Sequence, residues 1–495
     1  MKRYLATALF IMFLRTVMAQ AVYEDEKYVP ETDPLVLEKL DQWQDIKFGL
    51  LMHWGAYSQW GIVESWSICP EEYGWCERKA GSNPNNYNAY VQEYEGLKST
   101  FNPVNFNPDK WAKAAKDAGM RYVVFTTKHH DGFCMFDTKL TDYKITDPEC
   151  PFSSNPKSNV TKEIFESFRK QGLWTGAYFS KPDWHSQYYW DPYYPPRDRN
   201  VNYEPESKPE KWNKFIDFTH SQIMELLTDY GEVDILWLDG GWVAQESKEK
   251  ITSWYDGQLK NNDNGYLKHR IVNQDIKMDS LVKRARIAQP GLIVVDRAVY
   301  GKNQNYLTPE NRVPEKPLPY PWESCIISGG GWSHTKGAKY QSGRQVVQLL
   351  VDIVAKGGNL LLNIAPTPEG DWQEGAYSLL DEIGDWMDIN NEAIYGTRVM
   401  APYKEDNICM TQNDKGNIFF YYLCEEDENI IPKEIIISSY KPENGDQITI
   451  LGNNDKLKWK KFEDGIKIII PKHIRNNPPS NYVWIFKVIK NINSE

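Results

Sequence analysis

No run of eighteen apolar residues occurs in this 495-residue chain, so no segment reads as a membrane-spanning helix. Positive charge is also short. Fifty-seven Lys and Arg stand against 68 Asp and Glu, a net charge of −11. That argues against nucleic acid or an anionic membrane as partner, since both are held by basic patches. Cysteine is sparse and odd in number: Cys69, Cys76, Cys134, Cys150, Cys325, Cys409 and Cys424 follow no metal-binding spacing. Cys69 and Cys76 are the pair that proximity would bridge in an oxidising compartment. Internal repeats and low-complexity tracts are missing as well.

Aromatic residues are abundant, with 19 Trp and 30 Tyr. Many must fill cores, but their flat apolar faces and polar edges also suit a sugar ring. At 25% charged and 41% hydrophobic residues the composition is that of a soluble globular protein, and the length predicts two domains. Residues 1–19 have the pattern of a secretory leader. Lys2-Arg3 are followed by the apolar run Tyr4–Leu14 and the small-residue site Val17-Met18-Ala19, with no Cys beside it to carry a lipid. An exported protein is expected, periplasmic, secreted or lysosomal according to the host. Asn159-Val160-Thr161 fits a glycosylation sequon, which matters only in a eukaryotic host.

The stretch Val233-Asp-Ile-Leu-Trp-Leu-Asp239-Gly-Gly-Trp242 organises the rest. An apolar run bounded by turn signals is a buried strand. This one carries a carboxylate to its C-terminal end, and two glycines leave room for something to approach. An Asp capping the next turn is the plainer reading; Trp237 and Trp242 beside it favour a ligand site. Other strands end in the same way, at His53, at His129-His130, at Tyr178–Ser180 and at Asp296-Arg297, and Asn359–Pro366 is a further strand. Helices alternate with them: Leu35–Ile46, one opened by Asn107-Pro108 and closed by Gly119, Thr161–Lys170, Pro209–Tyr230, Ser342–Ala355 and Gly375–Ile389. This alternation predicts an α/β fold with a parallel sheet. Strand ends rich in polar groups point to an irregular (β/α)8 TIM-type barrel, although eight clean units cannot be counted.

From about Ala393 the pattern changes to short β-runs at 417–423, 434–438, 447–451, 465–470 and 482–488, split by Asn, Asp, Gly and Pro. They predict an all-β sandwich domain. The expected division is a leader over 1–19, a barrel-like catalytic domain over 20–395 and a β-sandwich domain over 396–495. The charge runs Glu425–Glu428 and Lys456–Lys461 are expected to be solvated turns.

The strand-end groups His53, His129, His130, Tyr178, Asp239 and Arg297 come from successive strands, as barrel active sites are assembled. Adjacent histidines on a strand point to opposite faces and no third ligand stands at a typical metal spacing. Singly each His is as well explained by a core hydrogen bond; as a set they suit a polar pocket for a hydroxylated ligand.

Phe48-Gly-Leu-Leu-Met-His-Trp-Gly-Ala-Tyr-Ser58, Thr127-Lys-His-His-Asp-Gly-Phe133, Leu236-Trp-Leu-Asp-Gly-Gly241, Leu361-Leu-Asn-Ile-Ala-Pro-Thr-Pro-Glu-Gly370 and Asn391-Glu-Ala-Ile-Tyr-Gly-Thr-Arg398 resemble, in order and spacing, the motif series of the α-L-fucosidases of glycoside hydrolase family 29. The resemblance runs from about Leu35 to Arg398. It implies an irregular barrel with a C-terminal β-sandwich and a retaining exo-enzyme that needs no metal or cofactor and acts on fucosylated oligosaccharides or glycoproteins. By the same resemblance Asp239 is the nucleophile, and His53, His129, His130, Tyr178, Trp237 and Arg297 line the fucose pocket with Glu64 and Trp66. Two positions compete for the acid/base, Glu310 in Tyr306-Leu-Thr-Pro-Glu310 and Glu323 in Pro321-Trp-Glu-Ser-Cys325. The insertion Ile251–Ile287 is placed to shape the aglycone side. Two other classes remain open at this level: a fucose-binding lectin that has lost the chemistry, and a metal-dependent hydrolase using His129, His130, Asp131 and Asp239.

Overall fold

The apolar runs that end on polar residues become the strands of one parallel sheet. The computed structural model describes residues 28–261 and 270–490; the expected leader lies outside them. Strands β1 Phe48–Met52, β2 Tyr122–Lys128, β3 Trp174–Ser180, β4 Ile235–Asp239, β5 Ile293–Asp296, β6 Glu323–Ile327 and β7 Asn359–Asn363 curl into a sheet of order β5-β4-β3-β2-β1-β7-β6, an incomplete TIM-like barrel. Strands buried on both faces are apolar throughout, as Phe48-Gly-Leu-Leu-Met52 shows.

Helices between the strands start where the sequence places their caps. Asn107 accepts from the Lys110 N–H ahead of Pro108, opening Pro108–Asp117, and Gly119 (φ +84°) turns the chain away after it. Ser342 and Gln345 form a reciprocal capping box on Gly343–Ala355. Pro209–Asp229 buries the predicted stripe of Trp212, Phe215, Ile216, Ile223, Leu226 and Leu227. Each such side chain contributes about 1.5–3 kcal/mol, which fastens the helix that leads into β4.

An eighth strand is missing between β5 and β6, and an irregular segment takes its place. The N–H of Asn305 bonds to Val294 on β5. Residues 307–311 then run along β6, with Glu323 N to Leu307 O at 2.8 Å, Cys325 N to Pro309 O at 3.1 Å and Asn311 N to Cys325 O at 2.9 Å. Pro309 removes a donor that a regular strand would use. The segment carries Glu310 to the barrel rim.

After the helix Glu374–Asn390 the pairing becomes antiparallel. The strands are β8 Thr397–Glu405, β9 Ile408–Asn413, β10 Ile418–Leu423, β11 Glu434–Ile437, β12 Gln447–Ile450, β13 Lys458–Phe462, β14 Gly465–Ile469 and β15 Val483–Ile489. They form a five-stranded sheet, β12-β15-β10-β9-β8, and a three-stranded one, β11-β14-β13. Phe420, Ile448 and Phe486 of the larger sheet pack on Ile435, Ile437, Ile466 and Ile468 of the smaller. The other face of the larger sheet, with Cys409, Phe419, Tyr421 and Ile485, joins the core of the barrel helices.

Two expectations are corrected here. Lys456–Lys461 was expected as a turn, yet most of it belongs to the edge strand β13, where exposed lysines blunt an open sheet edge. Cys69 and Cys76 meet thiol to thiol, but all seven cysteines are free, so the bridge is not formed. The sequon residue Asn159 is half-buried and its Nδ2 donates to Tyr230 at 3.2 Å. No helix among the described residues is long and apolar enough to cross a membrane.

Candidate active site

Asp239 closes β4 at the C-terminal edge of the sheet, its side chain 17% exposed. Gly240 follows with φ +87°, and a Cβ there would lie 2.3 Å from Pro182 Cδ. Only glycine lets the chain turn away so tightly beneath the carboxylate. His53, Glu64, Trp66, His129 and Tyr178 border one cavity of about 780 Å³ with Trp237, Asp239, Arg297 and Glu310. Parallel register sets Tyr178 beside Trp237 and Ser180 beside Asp239.

Both oxygens of Asp239 are engaged. Tyr178 donates its hydroxyl to Oδ2 at 2.7 Å, Arg297 Nη1 lies 3.2 Å from Oδ1, and His130 Nε2 is 3.8 Å from Oδ2. Burial alone would raise this carboxyl's pKa; the Arg297 charge, His130 and the Tyr178 hydroxyl outweigh it and hold the group well below the usual carboxylate range. The second arm of Arg297, Nη2, bonds Glu310 Oε2, and its Nε donates to Thr308 at 3.2 Å. One guanidinium therefore joins the two carboxylates, which keeps their oxygens within roughly 8 Å. The guanidinium also lies over the Trp237 ring, 5.2 Å from its centroid.

His129 and His130 do not point to opposite faces. β2 ends at Lys128, so strand alternation stops before them, and their rings stand 4.2 Å apart beside Asp239. His53 is fixed by Nδ1 to Asn363 Oδ1 at 3.0 Å, and His129 Nδ1 meets Ser65 Oγ. Burial lowers all three histidines, His53 to about 4 and His130 to about 3. His53 and His129 border the cavity as neutral rings, whereas His130 does not reach it and stands buried behind the Asp239 carboxylate.

Two other glutamates have raised pKa values, in different places. Glu64 is buried in the cavity wall and pushed up to about 8, chiefly by burial and further by Glu310 and Asp239. It sits at φ +34°, uncommon for a non-glycine residue, and accepts from the Ser333 N–H at 2.8 Å. Glu323 opens β6 beneath the floor and does not border the cavity. Its oxygens accept from Tyr122 OH at 2.6 Å and Trp237 Nε1 at 3.3 Å, and burial pushes it to about 7.

Several wall residues escaped the sequence reading. Trp332, after β6, tilts on His53 at 5.3 Å, and Asn363 Nδ2 holds its carbonyl at 2.8 Å. Arg199 lies over Trp66 at 4.8 Å and Trp242 at 5.1 Å, and Glu71 grips its guanidinium. Trp75 completes that side. No described residue of the insertion 251–287 borders the cavity, contrary to expectation. It acts from behind, through Gln274 Nε2 on the Trp242 carbonyl and Arg270 on Asp198.

Donor atoms of His129, His130 and Asp239 lie within 4.8 Å of one another, a spacing that could hold a metal ion. Asp131, the fourth expected ligand, turns away to Tyr94 OH at 2.7 Å. Arg297 already supplies a cation to Asp239, which opposes a second.

Comparison with known proteins agrees with this layout. The family model described as Alpha-L-fucosidase matches residues 15–392. The alpha-L-fucosidase of Dictyostelium discoideum is 24% identical, covering 94% of this chain and 96% of its own, and the tissue alpha-L-fucosidase of Homo sapiens is 24% identical over 97% and 96%. Among solved structures, alpha-L-fucosidase isoenzyme 1 from Paenibacillus thiaminolyticus superposes with a TM-score of 0.69 at 27% identity, covering 92% of this chain and 99% of that one. The Thermotoga maritima alpha-fucosidase in complex with fucose gives 0.68 at 24%, covering 93% and 100%. With a match spanning the whole parallel barrel, the chain belongs to the alpha-L-fucosidase family of glycoside hydrolases.

Proposed function

We propose that this chain is a retaining exo-α-L-fucosidase, with Asp239 as nucleophile and Glu310 as acid/base. The observation that carries the reading is the Arg297 guanidinium joining those two carboxylates in a cavity edged by neutral histidines. Asp239, kept ionised, attacks C1 of the fucosyl residue while the glycosidic C–O bond breaks. Glu310 in its protonated form gives that proton to the departing oxygen. Water, deprotonated by Glu310, then attacks C1 and releases Asp239, so two inversions give net retention. The retaining separation of about 5–5.5 Å between carboxyl groups falls within the span that Arg297 allows. His53 and His129 hydrogen-bond the sugar hydroxyls without adding charge, His130 backs the Asp239 carboxylate, and the neutral Glu64 has a proton to donate. Trp66 and Trp332 offer apolar walls for the C5 methyl group. Glu323 supports Trp237 from below.

The C-terminal sheets supply no group to the cavity, and we assign residues 396–495 a stabilising role. From the leader pattern of residues 1–19 we read an exported protein; an exported form retaining Met1 would refute that reading. The test of function is hydrolysis of an aryl α-L-fucoside beside the aryl galactoside and xyloside. Turnover restricted to the fucoside is expected, and fucose binding without turnover would make the protein a lectin. The His129–His130–Asp239 cluster favours a metal-dependent hydrolase as second reading. Activity that survives exhaustive chelation removes it; loss of activity restored by one metal would replace the present reading.

A further inference from the structure

We infer that Trp75 is the platform of an aglycone subsite that takes a neutral pyranose by stacking, an inference that rests on the fucosidase reading above. Large apolar side chains left open beside a catalytic cavity call for an explanation. Trp75 is 47% exposed and Val63 is 44% exposed, and both border the cavity that holds Asp239.

The indole is held in place. Its ring lies on Tyr73, centroids 4.4 Å apart and planes 6° from parallel. A ring so supported loses little freedom when a ligand lies against it. The loop beneath is tied to the fucose side of the cavity. Arg199 stacks over Tyr73, Trp66 and Trp242 at 5.7, 4.8 and 5.1 Å, and Glu71 of the same loop bonds it through Oε1 at 2.9 Å and Oε2 at 2.5 Å.

That ion pair also decides the chemistry of the ligand. Arg199 is the cation on this side of the cavity, and Glu71 neutralises it. Arg297 is shared between Asp239 and Glu310. Among the described residues, no cation bordering the cavity is left to receive a sialyl or sulfate group. A neutral sugar linked to fucose has the apolar C–H face that an indole accepts. The preferred substrate is therefore a neutral fucosylated oligosaccharide rather than a simple fucoside.

The experiment compares kcat/KM on neutral fucosyl disaccharides and trisaccharides of several linkages with that on α-L-fucosyl fluoride, which has no sugar aglycone. For Trp75→Ala the ratio of the best oligosaccharide to the fluoride is expected to fall about tenfold, mainly through KM. Trp75→Phe should recover most of it. A ratio within twofold of wild type for Trp75→Ala, or an equal loss in Trp75→Phe, would overturn the inference. Thermal melting of each variant separates misfolding from lost stacking. Failure of the wild type to hydrolyse fucosyl fluoride would sink the fucosidase reading itself, a different outcome from an unchanged ratio.

Discussion

The Tyr178 hydroxyl donates a 2.7 Å hydrogen bond to Oδ2 of Asp239, from a strand whose register places its backbone next to Trp237. The bond favours the ionised carboxylate and aims one oxygen away from Arg297, which contacts the other. Tyr178→Phe should lower kcat/KM by about 10- to 100-fold, the range for a lost hydrogen bond to a charged group. Because Tyr178 lowers the Asp239 pKa, the acid limb of the pH profile should also move to higher pH. An unshifted limb would mean the bond does not act on the reacting carboxylate.

Glu310 and Glu323 are separable by leaving group. Glu310→Ala should be slowed by about 100- to 10,000-fold on natural glycans and much less on nitrophenyl fucoside, with azide restoring rate and giving α-fucosyl azide. Glu323→Gln should cost stability through Tyr122 and Trp237 and show no azide effect. The reverse pattern would transfer the acid/base role to Glu323.

Glu64 has a pH signature in stability. Folded, it keeps its proton up to about pH 8; unfolded, it loses it around the ordinary 4.5. Between those values the folded state holds more protons, so this group's contribution to stability falls as pH rises. Glu64→Gln should therefore melt at the same temperature as wild type at pH 4 and gain on it progressively towards pH 8, by up to a few kcal/mol. The buried histidines, with lowered values, act with opposite sign as pH falls below about 6.5 and cancel in this difference. A pH-independent gap between the two melting curves would contradict a protonated Glu64.

Where local pattern and tertiary environment agree, the chain is legible. β1, β2, β4 and β7 are apolar runs closed by polar residues, and the caps at Asn107 and Ser342 announce their helices. β6 is not legible, because it opens on Glu323, whose partner Tyr122 is 201 residues away. β13 is hidden in a lysine run since an edge strand needs no apolar alternation. In the site, strand-end residues are legible by their position, but Trp75 sits in a single 3-10 turn and Arg199 and Trp332 in loops, none with a periodicity. Glu71–Arg199 and Glu64–Ser333, separated by 128 and 269 residues, bring those loops together, and nothing local signals either contact. The facing of the histidine pair is not legible for one reason: the strand ends a residue before it.

Asp239 is the residue on which everything else depends, and replacing it gives the most direct measurement. Asp239→Ala, assayed on nitrophenyl fucoside with and without azide, should lack turnover alone, because no fucosyl-enzyme can form without the attacking carboxylate. With azide in the place of that carboxylate, the expected product is β-fucosyl azide, identified by its anomeric coupling in NMR. Near-normal hydrolysis by Asp239→Asn, or α-fucosyl azide from Asp239→Ala, would contradict its assignment as the nucleophile.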